Sequence, residues 1–179
     1  MVASPLVPVD NTYVMDYDDL EQKLSDPQVK VMLLCNPHNP VGRVWKREEL
    51  VRLGDMCIRH GVTVVSDEIH CELVFPGYRY TPFASISEKF LQHSVTCLSP
   101  SKAFNIAGLQ IANIVCIDAA LRAKIDRAIN DNEVCDVNPF GMIATQAAYN
   151  EGEEWLDQLI GYLHANYLYM PVSYTHLRA

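Results

Sequence analysis

Four short apolar runs along the chain are separated by stretches in which apolar residues return every three or four positions. The first run, residues 29–35, is apolar and β-branched enough for a buried strand, and it ends in the turn-rich string NPHNPVGR. Over residues 46–60, Leu50, Leu53, Cys57 and Ile58 fall at i, i+3, i+7 and i+8, one face of a helix. Glu48 with Arg52 and Asp55 with Arg59 are favourable i,i+4 pairs on its wet side, and Gly61 is placed to close it. A second strand follows at 62–66 (VTVVS). Strand, helix and strand in that order predict a βαβ unit with parallel strands and a right-handed crossover.

Beyond a loop bearing Pro and Gly at 75–82, a short helix is expected near 85–91, then a third apolar run at 95–98. Only about a dozen residues separate it from the fourth run, 110–117, and that link contains Gly108 and shows no helical face. It suits an antiparallel return better than a parallel crossover. Asp118 can cap a helix in which Leu121, Ile125 and Ile129 recur every four residues. Two more helical patterns cover 139–150 and 153–169, the second with Leu156, Leu159, Ile160, Leu163 and Tyr167 on one stripe. Residues 1–28 read as a Pro-spaced extended segment followed by the short helix DYDDLEQKL. The expected class is α/β, a mostly parallel sheet with flanking helices.

Composition narrows the function. With 179 residues, 49% hydrophobic and 20% charged, the chain suits one globular domain with a sizeable core. A formal net charge of −8 repels phosphate backbones, so nucleic acid is not an expected partner. No apolar run reaches the roughly 18 residues of a membrane span, and no signal peptide opens the chain. The six cysteines, Cys35, Cys57, Cys71, Cys97, Cys116 and Cys135, form no C-x-x-C pair. They read as reduced thiols, which makes the cytoplasm the expected address and a zinc site unexpected. The histidines have no spacing that suggests a metal.

In open parallel sheets, ligands bind beyond the carboxyl ends of the strands, where loops and helix N-termini gather. Three polar strings stand at those ends: Asn36–Gly42 (NPHNPVG), Ser66–His70 (SDEIH) and Ser99–Lys102 (SPSK). Taken alone, each has a plain reading. The first suits a rigid turn, Asp67 a cap, Lys102 a solvated amine and His70 a core or surface histidine. Glu68 follows Asp67 but faces the other way if the strand continues, so it need not be catalytic. If the three strands are neighbours, an amide, a carboxylate, hydroxyls and an amine converge on one crevice.

Asn39-Pro40 in N-P-x-N-P-x-G, Asp67 in S-D-E-I-H and Lys102 in S-x-S-K together resemble the fold-type I pyridoxal-phosphate (PLP) enzymes, the aspartate aminotransferase superfamily. The longer strings CNPHNPVGRVW, SDEIHCELV and SKAFNIAGLQ are more specifically similar to its cystathionine β-lyase branch, the MalY/PatB type. The resemblance runs over residues 6–170, with the three motifs in the family's order and spacing. It implies that Lys102 holds PLP as a Schiff base and acts as the base at the substrate's α-carbon. Asp67 would keep the pyridine nitrogen protonated, which needs an anionic partner. Asn39 would bond the phenolate oxygen, next to a prolyl bond that is cis in relatives. Ser99 and Ser101 would bond the cofactor phosphate.

Two departures separate the sequence from the transaminase pattern. The position three after the aspartate, usually Tyr in transaminases, is His70, as in the β-lyases. The position eight beyond the lysine, commonly a phosphate-binding Arg, is Gln110, which removes a charge-assisted bond. Both favour α,β-elimination of cystathionine or a cysteine S-conjugate to pyruvate, ammonia and a thiol. A PLP aminotransferase shares the first half of that chemistry and is the alternative. A non-catalytic truncated module is a third.

Members of the superfamily are about twice this length, with a large and a small domain, so the chain reads as a fragment. The cofactor's phosphate loop and the stacking ring lie upstream in relatives, and the substrate-carboxylate Arg lies downstream. Residues 1–152 are then expected to form part of the PLP-binding large domain, and 153–170 the start of the interdomain helix. The last residues, 171–179 (PVSYTHLRA), fit neither the stripe nor the family and read as a non-native tail. Relatives are homodimers acting on small amino acids. The same is expected of the intact parent, while the isolated chain is expected to be inactive.

Overall fold

An amino-terminal hairpin, β1 (Val7–Val9) and β2 (Thr12–Val14), turns at Asp10, whose φ of 52° is left-handed. The sequence pattern alone suggests an extended segment here, not a paired hairpin. In the computed structural model, which describes residues 1–175, Asp16 caps helix α1 (Tyr17–Leu24) by accepting from the N–H groups of Asp18 and Asp19. Strand β3 (Val31–Cys35), helix α2 (Arg47–Arg59) and strand β4 (Thr63–Asp67) then form the expected parallel βαβ unit. Gly61 takes a φ of 66° just past α2, a conformation glycine adopts without steric cost.

A 3-10 turn (Phe83–Ser85) and α3 (Glu88–Gln92) lead to β5 (Ser94–Leu98), parallel to β4. A second 3-10 turn (Ala107–Leu109) leads to β6 (Asn113–Val115), which runs antiparallel to β5. The sheet order is β3-β4-β5-β6, two parallel pairs and one antiparallel edge, as the short link predicted. The fourth run gives a shorter strand than its apolar length suggests. Gln110 turns left-handed at φ 52°, and the Ile111 carbonyl is taken by the Ser99 hydroxyl. Helices α4 (Ala119–Asp131), α5 (Pro139–Glu151) and α6 (Glu153–Thr175) follow. Asp118 does cap α4, accepting from Leu121 N at 2.6 Å. Helix α6 passes the expected end at residue 170, and residues 176–179 of the suspected tail lie outside the described residues.

The main hydrophobic cluster lies on one face of the sheet. Leu20 and Leu24 of α1 and Leu50, Leu53, Met56 and Cys57 of α2 pack on Leu34, Val62 and Val64, closed by Trp45, Phe83 and Phe90. Fully burying each such leucine contributes about 2 kcal/mol. Phe83 and Phe90 stack at 5.0 Å against α2 at Gly54, where an added Cβ would lie 2.5 Å from the Phe90 ring. On the opposite face Val31 is 52% and Leu33 65% exposed, so β3 is buried on one side only, not on both as its apolar run suggests. Among the described residues, no element covers that side of β3.

Candidate active site

Because β3, β4 and β5 are neighbours, the three polar strings do emerge at one end of the sheet. Their last paired residues form a row across it: Cys35 opposite Asp67, and Asp67 opposite Cys97. Paired positions share a face, so a half-buried carboxylate lies between two thiols. Burial first, and the Asp67 charge second, push both thiols above the ordinary cysteine range. For Cys97 the Glu68 charge adds a smaller push. The backbone of Asp67 is fixed: its carbonyl accepts from Asn36 N at 2.9 Å, and the next N–H, of Glu68, donates to Cys97 O at 2.9 Å. Among the described residues, its Oδ1 accepts only a long bond, 3.3 Å, from Ile69 N.

The loop after β3 is a closed turn. His38 N donates to Arg43 O at 2.7 Å and Gly42 N to His38 O at 2.9 Å, with Gly42 at a φ of 68°. The peptide bonds Asn36–Pro37 and Asn39–Pro40 are both cis. The far side of the turn is tied down by Trp45, whose indole N–H donates to Cys35 O at 2.8 Å. The Arg43 guanidinium lies 4.7 Å from the Trp45 ring centroid and pairs with Glu49 at the start of α2. Asn39 is left exposed at the top of this turn, and its side chain is free of hydrogen bonds among the described residues.

After β4 the chain turns again, with Cys71 N on Glu68 O and Leu73 N on His70 O, which leaves His70 half-buried. After β5 a third turn is held by Phe104 N on Pro100 O and Ile106 N on Ser101 O, with Asn105 left-handed at φ 54°. Lys102 stands exposed on that turn, with neither a hydrogen bond nor an ion pair among the described residues. The two serines differ. Ser99 is buried, donates to Ile111 O at 2.6 Å and accepts from Ser101 N at 3.1 Å, so its hydroxyl holds the turn. Ser101 is half-buried and keeps its hydroxyl without a partner among the described residues.

An amine, a carboxylate, an amide, an imidazole and hydroxyls are therefore presented by three adjacent turns at one end of the sheet. Sequence reasoning passed over the polar knot beneath them, where Asn36, Ser66 and Tyr80 converge on the buried Glu68. Its signal was present: an Asn closing one strand beside a second carboxylate closing the next.

Residues 3–170 match the family described as aminotransferase class I and II. The chain belongs to that family. The family resemblance carried by the Asn39, Asp67 and Lys102 motifs thus holds over nearly the whole chain. The chain is 52% identical over 163 residues to cystathionine β-lyase PatB of Bacillus subtilis, covering 91% of this chain and 42% of PatB. The solved PLP-bound C–S lyase of Staphylococcus hominis superposes with a TM-score of 0.86 at 39% identity, covering 95% of this chain and 42% of that one. N-succinyldiaminopimelate aminotransferase of Mycobacterium tuberculosis shares the fold at a TM-score of 0.86 and 27% identity, covering 96% and 44%. The chain thus spans well under half the length of these relatives.

Proposed function

We propose that the protein is a PLP-dependent carbon–sulfur β-lyase that cleaves cystathionine or a cysteine S-conjugate to pyruvate, ammonia and a thiol. The observation that carries this reading is the 52% identity to PatB, together with His70 at the position three beyond Asp67. The donor set suits the cofactor: an exposed amine, a half-buried strand-end carboxylate and an exposed amide stand on three neighbouring turns. PLP, when bound, supplies an electron sink for the pair released at the substrate's α-carbon.

The remaining roles would fall to this chain's own residues. Lys102 would hold the cofactor and move the α-proton. Asp67 would keep a proton at the ring nitrogen by charge attraction. Asn39 and His70 would orient the ring oxygen. Ser101 would donate its hydroxyl to the phosphate, with Ser99 as the second hydroxyl at that end. Residues 1–152 would form part of the cofactor-binding domain, and 153–170 the helix leading out of it. The intact protein would work on a small amino acid, in the cytoplasm, as a homodimer.

The test is pyruvate release from cystathionine by the intact protein with PLP and no keto acid, in wild type and Lys102→Ala. Release that Lys102→Ala abolishes supports the lyase. Turnover that requires a keto-acid acceptor supports amino transfer instead, a reading that the likeness to the mycobacterial aminotransferase favours.

A further inference from the structure

Glu68 is 1% exposed, and donors from three segments meet on its carboxylate. On Oε1 it accepts from Ser66 Oγ at 2.7 Å, from Phe83 N at 3.0 Å and from Asn36 Nδ2 at 3.2 Å. On Oε2 it accepts from the Tyr80 hydroxyl. A carboxylate has acceptor sites for all four, whereas an amide would turn one end into a donor. Burial and this bond to Glu68 push the Tyr80 phenol far above its ordinary value, so the hydroxyl remains a donor.

Asn36 ties this knot to the site. It is 0% exposed and spends its other Nδ2 proton on Thr81 O at 3.0 Å. Its backbone N–H holds the Asp67 carbonyl at 2.9 Å, and it opens the loop that carries Asn39. Its own Oδ1 is buried without a partner among the described residues, so there its donors fix the amide. Loss of the Glu68 acceptor would leave further buried polar groups unsatisfied, which local opening relieves.

We propose that Glu68 is a positioning residue: from the buried face of the sheet it fixes Asn36, and through Asn36 it sets the Asp67 strand end and the Asn39 loop. Its relevance to cofactor binding rests on the function proposed above; the positioning itself does not. A residue that merely stabilises the core would loosen the whole chain when replaced. A positioning residue loosens the site first.

Hydrogen exchange on the chain without PLP separates the two. In Glu68→Gln, the backbone N–H groups of Asn36, His38, Asn39, residues 41–43 and residues 67–70 should exchange roughly tenfold faster or more, while those of α1 stay at the wild-type rate. Leu24→Ala, a core truncation in α1, serves as the general-destabilisation control. In the PLP-loaded protein, Glu68→Gln should also shift the pH at which the bound cofactor's visible absorption changes, and Leu24→Ala should not. Uniform acceleration like that of Leu24→Ala, or none at the loop, overturns the proposal. If Glu68→Gln fails to fold, Tyr80→Phe removes one of the four bonds and decides the matter: local acceleration supports the role and an unchanged loop overturns it. A wild type that binds no PLP would count against the proposed function and leave the exchange result to judge Glu68.

Discussion

Asp67 and Glu68 are consecutive in the chain and back to back in the sheet. Glu68 bonds Ser66 on the buried face, while Asp67 between them lies in the row with Cys35 and Cys97. The alternation of a strand thus gives two adjacent carboxylates separate tasks.

Asp67→Asn should separate charge from shape. The fold is expected to survive, because Asp67 is anchored through its backbone, while retention of PLP is lost. Removing the charge should also ease ionisation of Cys35 and Cys97, which Asp67 holds up. Their alkylation should quicken by roughly two- to fivefold, since burial, the larger cause, is untouched. Site-resolved mass spectrometry of labelled thiols measures this.

Gly54→Ala tests the packing of α2 on the phenylalanine pair. The new methyl would lie 2.5 Å from the Phe90 ring and 3.1 Å from Phe83, two stacked rings that are both buried. Overpacking of this kind should cost about 1–3 kcal/mol. Urea unfolding monitored by circular dichroism would read it as a lower midpoint.

Ser99→Ala removes the donor to Ile111 O and the acceptor of Ser101 N. The variant should lose about 1–2 kcal/mol of stability, and retention of PLP should weaken with it. Ser101→Ala, lacking those two bonds, should weaken PLP retention with little change in stability. The pair of unfolding midpoints, set beside PLP retention on a desalting column, distinguishes the roles.

His38 sets a pH dependence. Burial, with the ring edge against Trp45, holds its pKa below the ordinary 6.5. The unfolded chain therefore takes up this proton first as pH falls. Stability should decline from about pH 6.5 downward until the folded value is passed. In His38→Gln that part of the decline disappears. Denaturation at about pH 7.5 and about pH 5.5 should give a smaller difference in the variant than in wild type.

Much of the fold was legible because its signals are local. The stripe Leu50, Leu53, Cys57 fixed α2, the short link fixed an antiparallel β6, and Asp118 is the cap its type suggests. The candidate site was legible as three polar strings, although their convergence depended on strand order, which periodicity does not encode. Other features were hidden because they are made by distant partners. Ser99 looked like a free hydroxyl until Ile111 was brought beside it, and Glu68 looked idle until Tyr80 and Phe83 folded over it. The exposure of Val31 and Leu33 was hidden for the opposite reason, since an apolar run states a preference for burial and not what covers it.

The reversal between β5 and β6 decides how the Lys102 turn is held. A parallel crossover would carry the chain to the far end of the sheet before it re-entered, but here departure and return occur at the same end. The arc from Ser99 to Gln110, Lys102 included, is therefore closed at one end of the sheet, and the Ser99 hydroxyl on Ile111 O ties its two ends together. Slippage in the pairing of Cys97 with Ile114 would distort the arc that carries Lys102.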